Sequence, residues 1–187
     1  MCSPSDSISL QRVSVGTTHF INAIVRRSRE LLKVAVIRVV SNPITTCVPP
    51  FTDIPEDLVE RSVQGGYQYD GKLICDVDEC EVANVAKEFY AFGVTHFAVV
   101  GTFSSMNNAQ EMQVQEVILR TLPSASVSIS CEIGRIGLLE RENATILNEC
   151  LKSLCQKTIM GVSDSMRLIN IDCPLYLSQN DGTICRW

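Results

Sequence analysis

A chain of 187 residues is long enough for one domain or two small lobes. With 45% hydrophobic and 20% charged residues it can bury a core, which excludes a disordered tail. A formal net charge of −5 offers no electrostatic footprint for nucleic acid, and apolar runs such as residues 34–37 and 97–100 are too short to span a bilayer, so neither nucleic acid nor membrane is expected as a partner.

The polar first residues, 1–12, are expected to be frayed or disordered. They carry no basic region followed by an apolar stretch, so no secretory signal is read, and a cytoplasmic location is expected. Nine scattered cysteines, an odd number without a knuckle-type pair, read as reduced, mostly buried thiols, and no metal site is expected. Residues 10–15 alternate apolar and polar and predict a strand; Gly16-Thr17-Thr18 ends it. Residues 18–27 predict a short helix, and the β-branched run 33–40 a buried strand. Four prolines within 42–57 predict an irregular connection, the one candidate boundary between lobes. Residues 65–71 read as a short strand closing on the Asp70-Gly71 turn, with its partner at 72–75.

The clearest pattern follows. Asp76 or Asp78 caps a helix running to about Phe92, stopped by Gly93. Residues 95–100 form a strand, Asn107 or Asn108 caps a helix to about Leu122, and residues 125–130 form another strand. A last long helix covers 142–157; residues 160–171 are ambiguous, and 175–178 read as a strand leading to the turn 179–182. Helix–strand alternation from 76 to 130 implies right-handed crossovers and a parallel or mixed sheet covered by helices.

Candidate chemistry is sparse. Gly16, Thr17 and Thr18 close a strand and open a helix, where backbone N–H groups and two hydroxyls suit an anion or a polar substrate; Asn22 lies one turn further on. The plainer reading is that a threonine caps the helix. His19 and His96 are the only histidines, and no residue in the sequence is seen to orient either as an acid or base. Glu132, Glu140, Arg141 and Glu142 form a charged cluster, with Glu142 or Asn143 placed to favour a helix dipole. Cys131 beside Glu132 is a remote candidate nucleophile. No nucleotide-binding P-loop, nucleophile elbow or zinc-protease pair appears.

Four segments in order resemble the hydantoinase/oxoprolinase family. They are Gly16-Thr17-Thr18-His19-Phe20-Ile21-Asn22-Ala23; Tyr69-Asp70-Gly71-Lys72; Ser130-Cys131-Glu132, followed by Glu140-Arg141, Thr145 and Leu147-Asn148; and Ser178-Gln179-Asn180-Asp181-Gly182. The resemblance covers nearly the whole chain and implies a partial actin-like/sugar-kinase-type ATPase fold of the α/β class, with a mixed sheet and flanking helices. It implies an activity that opens cyclic amides, hydantoins or 5-oxoproline, with ATP and magnesium as cofactors of the full-length enzymes. By resemblance Gly16, Thr17, Thr18 and Asn22 line the cleft, and Asn180, Asp181 and Gly182 form a second part of it. The family's Asp-x-Gly-Gly-Thr-x-Thr-Asp phosphate loop is expected upstream of Val13 and its second glycine-rich phosphate element beyond the 180–182 turn. Residues 13–187 are therefore expected to be an incomplete N-terminal-type domain, inactive and without cofactor by itself. Cys131 also stands where the family carries histidine. The alternative expectation is a non-catalytic interaction module that pairs with a partner chain or domain through an open sheet edge.

Overall fold

The computed structural model describes residues 10–16, 18–41, 59–134, 137–178 and 183–186. The chain forms two compact units, Met1–Arg26 with Leu154–Trp187, and Arg27–Ser153. The division falls at neither end of the proline-rich stretch, which itself lies outside the described residues.

In the first unit, β1 (Val13–Val15) leads to α1 (His19–Val25). The larger unit opens with β2 (Val34–Val40), buried along nearly its whole length as its β-branched run requires. Next comes β3 (Val59–Gln64), which no periodicity announced: only Val63 of its residues is buried, because it is an edge strand. A hairpin follows, β4 (Gly66–Tyr67) against β5 (Leu73–Cys75), antiparallel as expected. Its turn is fixed locally. Asp70 Oδ1 accepts from Lys72 N at 3.1 Å, and Gly71 takes the left-handed φ of 80° that its missing side chain permits.

Helix α2 (Glu79–Ala91) starts where the sequence predicts: the Asp78 carboxyl accepts from Cys80 N and Glu81 N. It buries Val82, Ala86 and Phe89 at helical spacing and ends at Gly93, φ 79°. Then come β6 (His96–Gly101), α3 (Ala109–Thr121), β7 (Ser126–Ile129) and the short α4 (Ser130–Ile133). Asn107 rather than Asn108 makes the side-chain bond at the start of α3, accepting from Ala109 N at 3.1 Å.

The four strands order as β3-β2-β6-β7, all parallel. Helices α2 and α3 cover one face, where Ala35, Ile37, Val39, Phe97, Val99 and Ile129 meet Val82, Phe89, Val114 and Ile118. Each such side chain contributes about 1.5–3 kcal/mol through burial.

The other face receives α5 (Leu138–Leu168), which is longer at both ends than the 142–157 expected and absorbs most of the ambiguous 160–171 segment. Its contact is half polar. Val34, Val36, Ala98 and Val100 pack on Ile146 and Cys150, but Arg38, His96, Ser128 and Ser130 on the same face bond to polar side chains of the helix. That mixture blurred the helical periodicity. In the first unit, the end of α5 packs with β1 and β8 (Leu175–Ser178), and β9 (Ile184–Arg186) completes a three-stranded mixed sheet, β1-β8-β9.

Candidate functional site

In the first unit Thr18 occupies the N-cap of α1 without making a side-chain cap bond; its Oγ1 instead accepts from Asn22 Nδ2 at 3.4 Å. The plain capping reading therefore does not describe Thr18, while the expected neighbourhood of Thr18 and Asn22 is present. Both are exposed, as is Gly16. A Cβ at Gly16 would lie 2.8 Å from Ser178 Oγ, so a larger residue there would make the Ser178 hydroxyl turn away. Thr17, Asn180, Asp181 and Gly182 lie outside the described residues.

The larger unit has the geometry of a ligand-binding α/β sheet. In chain order β3 is laid on one side of β2 and β6 on the other, so the connections leaving β2 and β6 diverge. Open parallel sheets bind ligands outside the carboxyl ends of such strands. A narrow crevice there is lined by Tyr67 from the hairpin, Thr102, Phe103 and Ser104 after β6, and Asn107 and Glu111 around the start of α3. A wider hollow of about 220 Å³ beside the ends of β2 and β3 is lined by Ser41, Ser62, Gln64 and Glu81.

The loops of the crevice are held by a buried polar network. Glu111, 1% exposed, accepts from Gly101 N and Ser130 Oγ at 2.6 Å each and from Cys131 N at 2.9 Å. Arg141, 2% exposed, donates to Ser130 Oγ, Ser104 Oγ and Gly101 O. A carboxyl and a guanidinium thus tie the ends of β6 and β7 to α3 and α5. Gly134 leaves room for this, since a Cβ there would come within 2.7 Å of Arg141 Cγ.

The charged cluster read from the sequence divides. Glu132 and Glu140 are exposed, whereas Arg141 and Glu142 are buried. Glu142 is not a dipole-favouring surface residue: Arg38 grips its carboxyl with two bonds, 2.5 and 2.6 Å. Cys131 does not suit a nucleophile. Burial, reinforced by the Glu111 carboxyl, pushes its thiol up to about 11. His96 does have an orienting group, contrary to the sequence reading. Its Nδ1 lies 2.8 Å from Glu149 Oε1, and Glu149 also accepts from Ser128 Oγ and Lys152 Nζ at 2.6 Å each. The one hint in the sequence was the alternation Ser126, Ser128, Ser130, which puts two hydroxyls on the α5 face of β7 and a third just past its end.

The sequence profile of the hydantoinase/oxoprolinase N-terminal region matches residues 4–122, more than half of the chain. The chain belongs to the hydantoinase/oxoprolinase family. Among solved structures, its fold is similar to part of ATP-dependent caprolactamase from Pseudomonas jessenii, with a TM-score of 0.76 at 19% identity over 90% of this chain and 26% of that one. It is similar likewise to part of nucleotide-free acetone carboxylase, with a TM-score of 0.76 at 16% identity over 93% of this chain and 28% of that one. The α/β class with a mixed sheet and flanking helices is thereby established, and this hydantoinase-family chain spans about a quarter of the length of these structural relatives. No curated protein sequence matches it.

Proposed function

We propose that the chain works within an ATP-dependent hydrolase that opens cyclic amides of the hydantoin or 5-oxoproline type, and that it has no turnover alone. The supporting observation is the fold likeness to an ATP-dependent caprolactamase over 90% of the chain, within a family match of its own. The chain spans about a quarter of that relative, so the remaining machinery belongs to a partner subunit or flanking domains. Among the described residues β1 is an edge strand, which offers such a partner a place to add a strand. We also place the protein in the cytoplasm; no helix among the described residues is long and apolar enough to cross a membrane.

ATP and magnesium are the cofactors of this reading. Thr18 and Asn22 fit contact with a phosphate oxygen, since both present neutral polar groups at the surface, and Gly16 and Thr17 stand beside them in the sequence. The crevice after β6 fits it poorly, because Glu111 lines it and no basic side chain does. Among the described residues no three His, Cys, Asp or Glu side chains gather as a metal cage, so magnesium would be held largely through the phosphates. Bound ATP would supply the driving force; this chain's residues bind and orient.

Two assays test the proposal. The purified chain is incubated with magnesium-ATP and hydantoin, 5-oxoproline or caprolactam, and ADP and ring-opened product are measured. No product is expected, and turnover abolished by Thr17→Ala would overturn the claim of inactivity. The native assembly, isolated from its source cells and sized by intact mass and peptide mapping, is assayed likewise. ATP hydrolysis there that no cyclic amide stimulates would overturn the assignment of reaction.

A further inference from the structure

Cys155, Ile159, Val162 and Met166 recur at helical spacing on α5 and pack in one apolar cluster with Val13 and Val15 of β1 and Leu175 and Leu177 of β8. Alternate strand residues share a face, so that face of the sheet is the one turned to α5. Cys185 stands directly opposite Leu177 in the antiparallel pair β8–β9. Cross-strand partners share a face, so Cys185 is the β9 residue facing the helix, and Ile184 and Arg186 face away. Cys155 and Cys185 are both half-buried free thiols. Burial raises Cys155 above the ordinary thiol range, and the charge of a Cys185 thiolate raises it further, in keeping with a place for both on the same side of the sheet. Neither group has a role in the site or the proposed reaction.

We propose that Cys155 and Cys185 form a reversible disulfide pair, a redox clasp between α5 and β9 that glutathione disulfide closes. One cysteine thiolate attacks a sulfur of glutathione disulfide, forms a mixed disulfide and expels a glutathione thiolate. The other cysteine then displaces the second glutathione and completes the protein disulfide. Two protein thiols are oxidised, one glutathione disulfide is reduced to two thiols, and the two cysteine protons end on them. The closed clasp places residues 179–182, with Asn180, Asp181 and Gly182, inside a covalent loop. A third thiol, Cys173, packs in the same cluster and is the competitor.

The full chain is treated with glutathione disulfide, quenched by alkylation, and examined by intact mass, peptide mapping and hydrogen exchange. The expected result is the loss of two hydrogens, a peptide cross-linked through Cys155 and Cys185, and exchange at β9 amides slowed by roughly tenfold or more, reversed by a dithiol. Cys185→Ser and Cys155→Ser each lose both the cross-link and the slowing. A cross-link through Cys173, mixed disulfides alone, or no oxidation of the wild-type chain overturns the proposal. So does a Cys155–Cys185 cross-link that leaves β9 exchange unchanged, since the clasp would then hold nothing.

Discussion

Arg38 and Glu142 give the sharpest stability test. The side chains are 7% and 0% exposed and joined by two short bonds, with Glu60, 43% exposed, as a weaker third partner 3.4 Å from Arg38. Arg38→Met leaves a buried carboxylate without its counter-charge, and breaking a pair in this way costs about 3–5 kcal/mol. The Glu60 contact adds little, because half-exposed pairs contribute about 1 kcal/mol or less. Glu142→Leu removes the guanidinium's buried counter-charge while Glu60 stays beside it, and should cost no more than the Arg38→Met change. Replacing both removes the desolvated charges together, so Arg38→Met with Glu142→Leu should fall within about 2 kcal/mol of wild type. Urea unfolding followed by circular dichroism gives the midpoints, and an unchanged slope confirms that the denatured state is not the source. The cycle should show that the two changes are strongly non-additive, the double variant being more stable than either single one. Single substitutions costing less than about 1 kcal/mol, or a double variant as unstable as the sum of the singles, would refute the view that this ion pair is a mutually dependent part of the α5 contact.

Three further outcomes are expected. Burial pushes the Glu149 carboxyl up, but hydrogen bonds from Lys152, Ser126, Ser128 and His96 outweigh it and hold the folded group below the ordinary range. With the folded value depressed, its contribution is full above the unfolded value of about 4.3 and lost as pH falls through the folded one, so Glu149→Gln should flatten the acid limb of a stability–pH curve; an identical limb would contradict this. Gly16→Ala should cost no more than about 0.5 kcal/mol, since the exposed Ser178 hydroxyl it meets can turn away, and a loss above about 2 kcal/mol in urea unfolding would contradict this. Cys131, raised to about 11, should react with iodoacetamide at neutral pH roughly two orders of magnitude more slowly than a free thiol, and rapid labelling would reopen the nucleophile reading.

The elements legible in the sequence are those whose burial is apolar. β2 and β6 show as continuous apolar runs because both their faces are covered, α2 shows by its helical period, and the Asp78 cap and Gly93 stop show because only local chemistry decides them. β3 does not, since an edge strand reading Val-Glu-Arg-Ser-Val-Gln buries one residue and alternates weakly. The length of α5 was lost for a related reason. Its inner face carries Arg141, Glu142, Thr145 and Glu149 among Ile146 and Cys150, and such a stripe cannot be told from a solvated one until its partners are known. Glu111 was invisible for the same cause. Its three donors come from residues 101, 130 and 131, ten to twenty positions away.

That network also bears on where chemistry can lie. A general base needs a lone pair open towards the proton it abstracts. In the larger unit Glu111 binds three donors, Glu142 holds both ends of the Arg38 fork, and Glu149 meets His96, Ser128 and Lys152. Among the described residues there, these three buried carboxyls are committed to joining the parallel sheet to its helices. Their removal would lower activity and stability together. A substitution that leaves the unfolding midpoint unchanged while abolishing turnover of the complete enzyme should instead fall among the exposed polar groups, Thr18 and Asn22 first. These two lie at the surface and are held by one long hydrogen bond, so their loss has little fold to disturb.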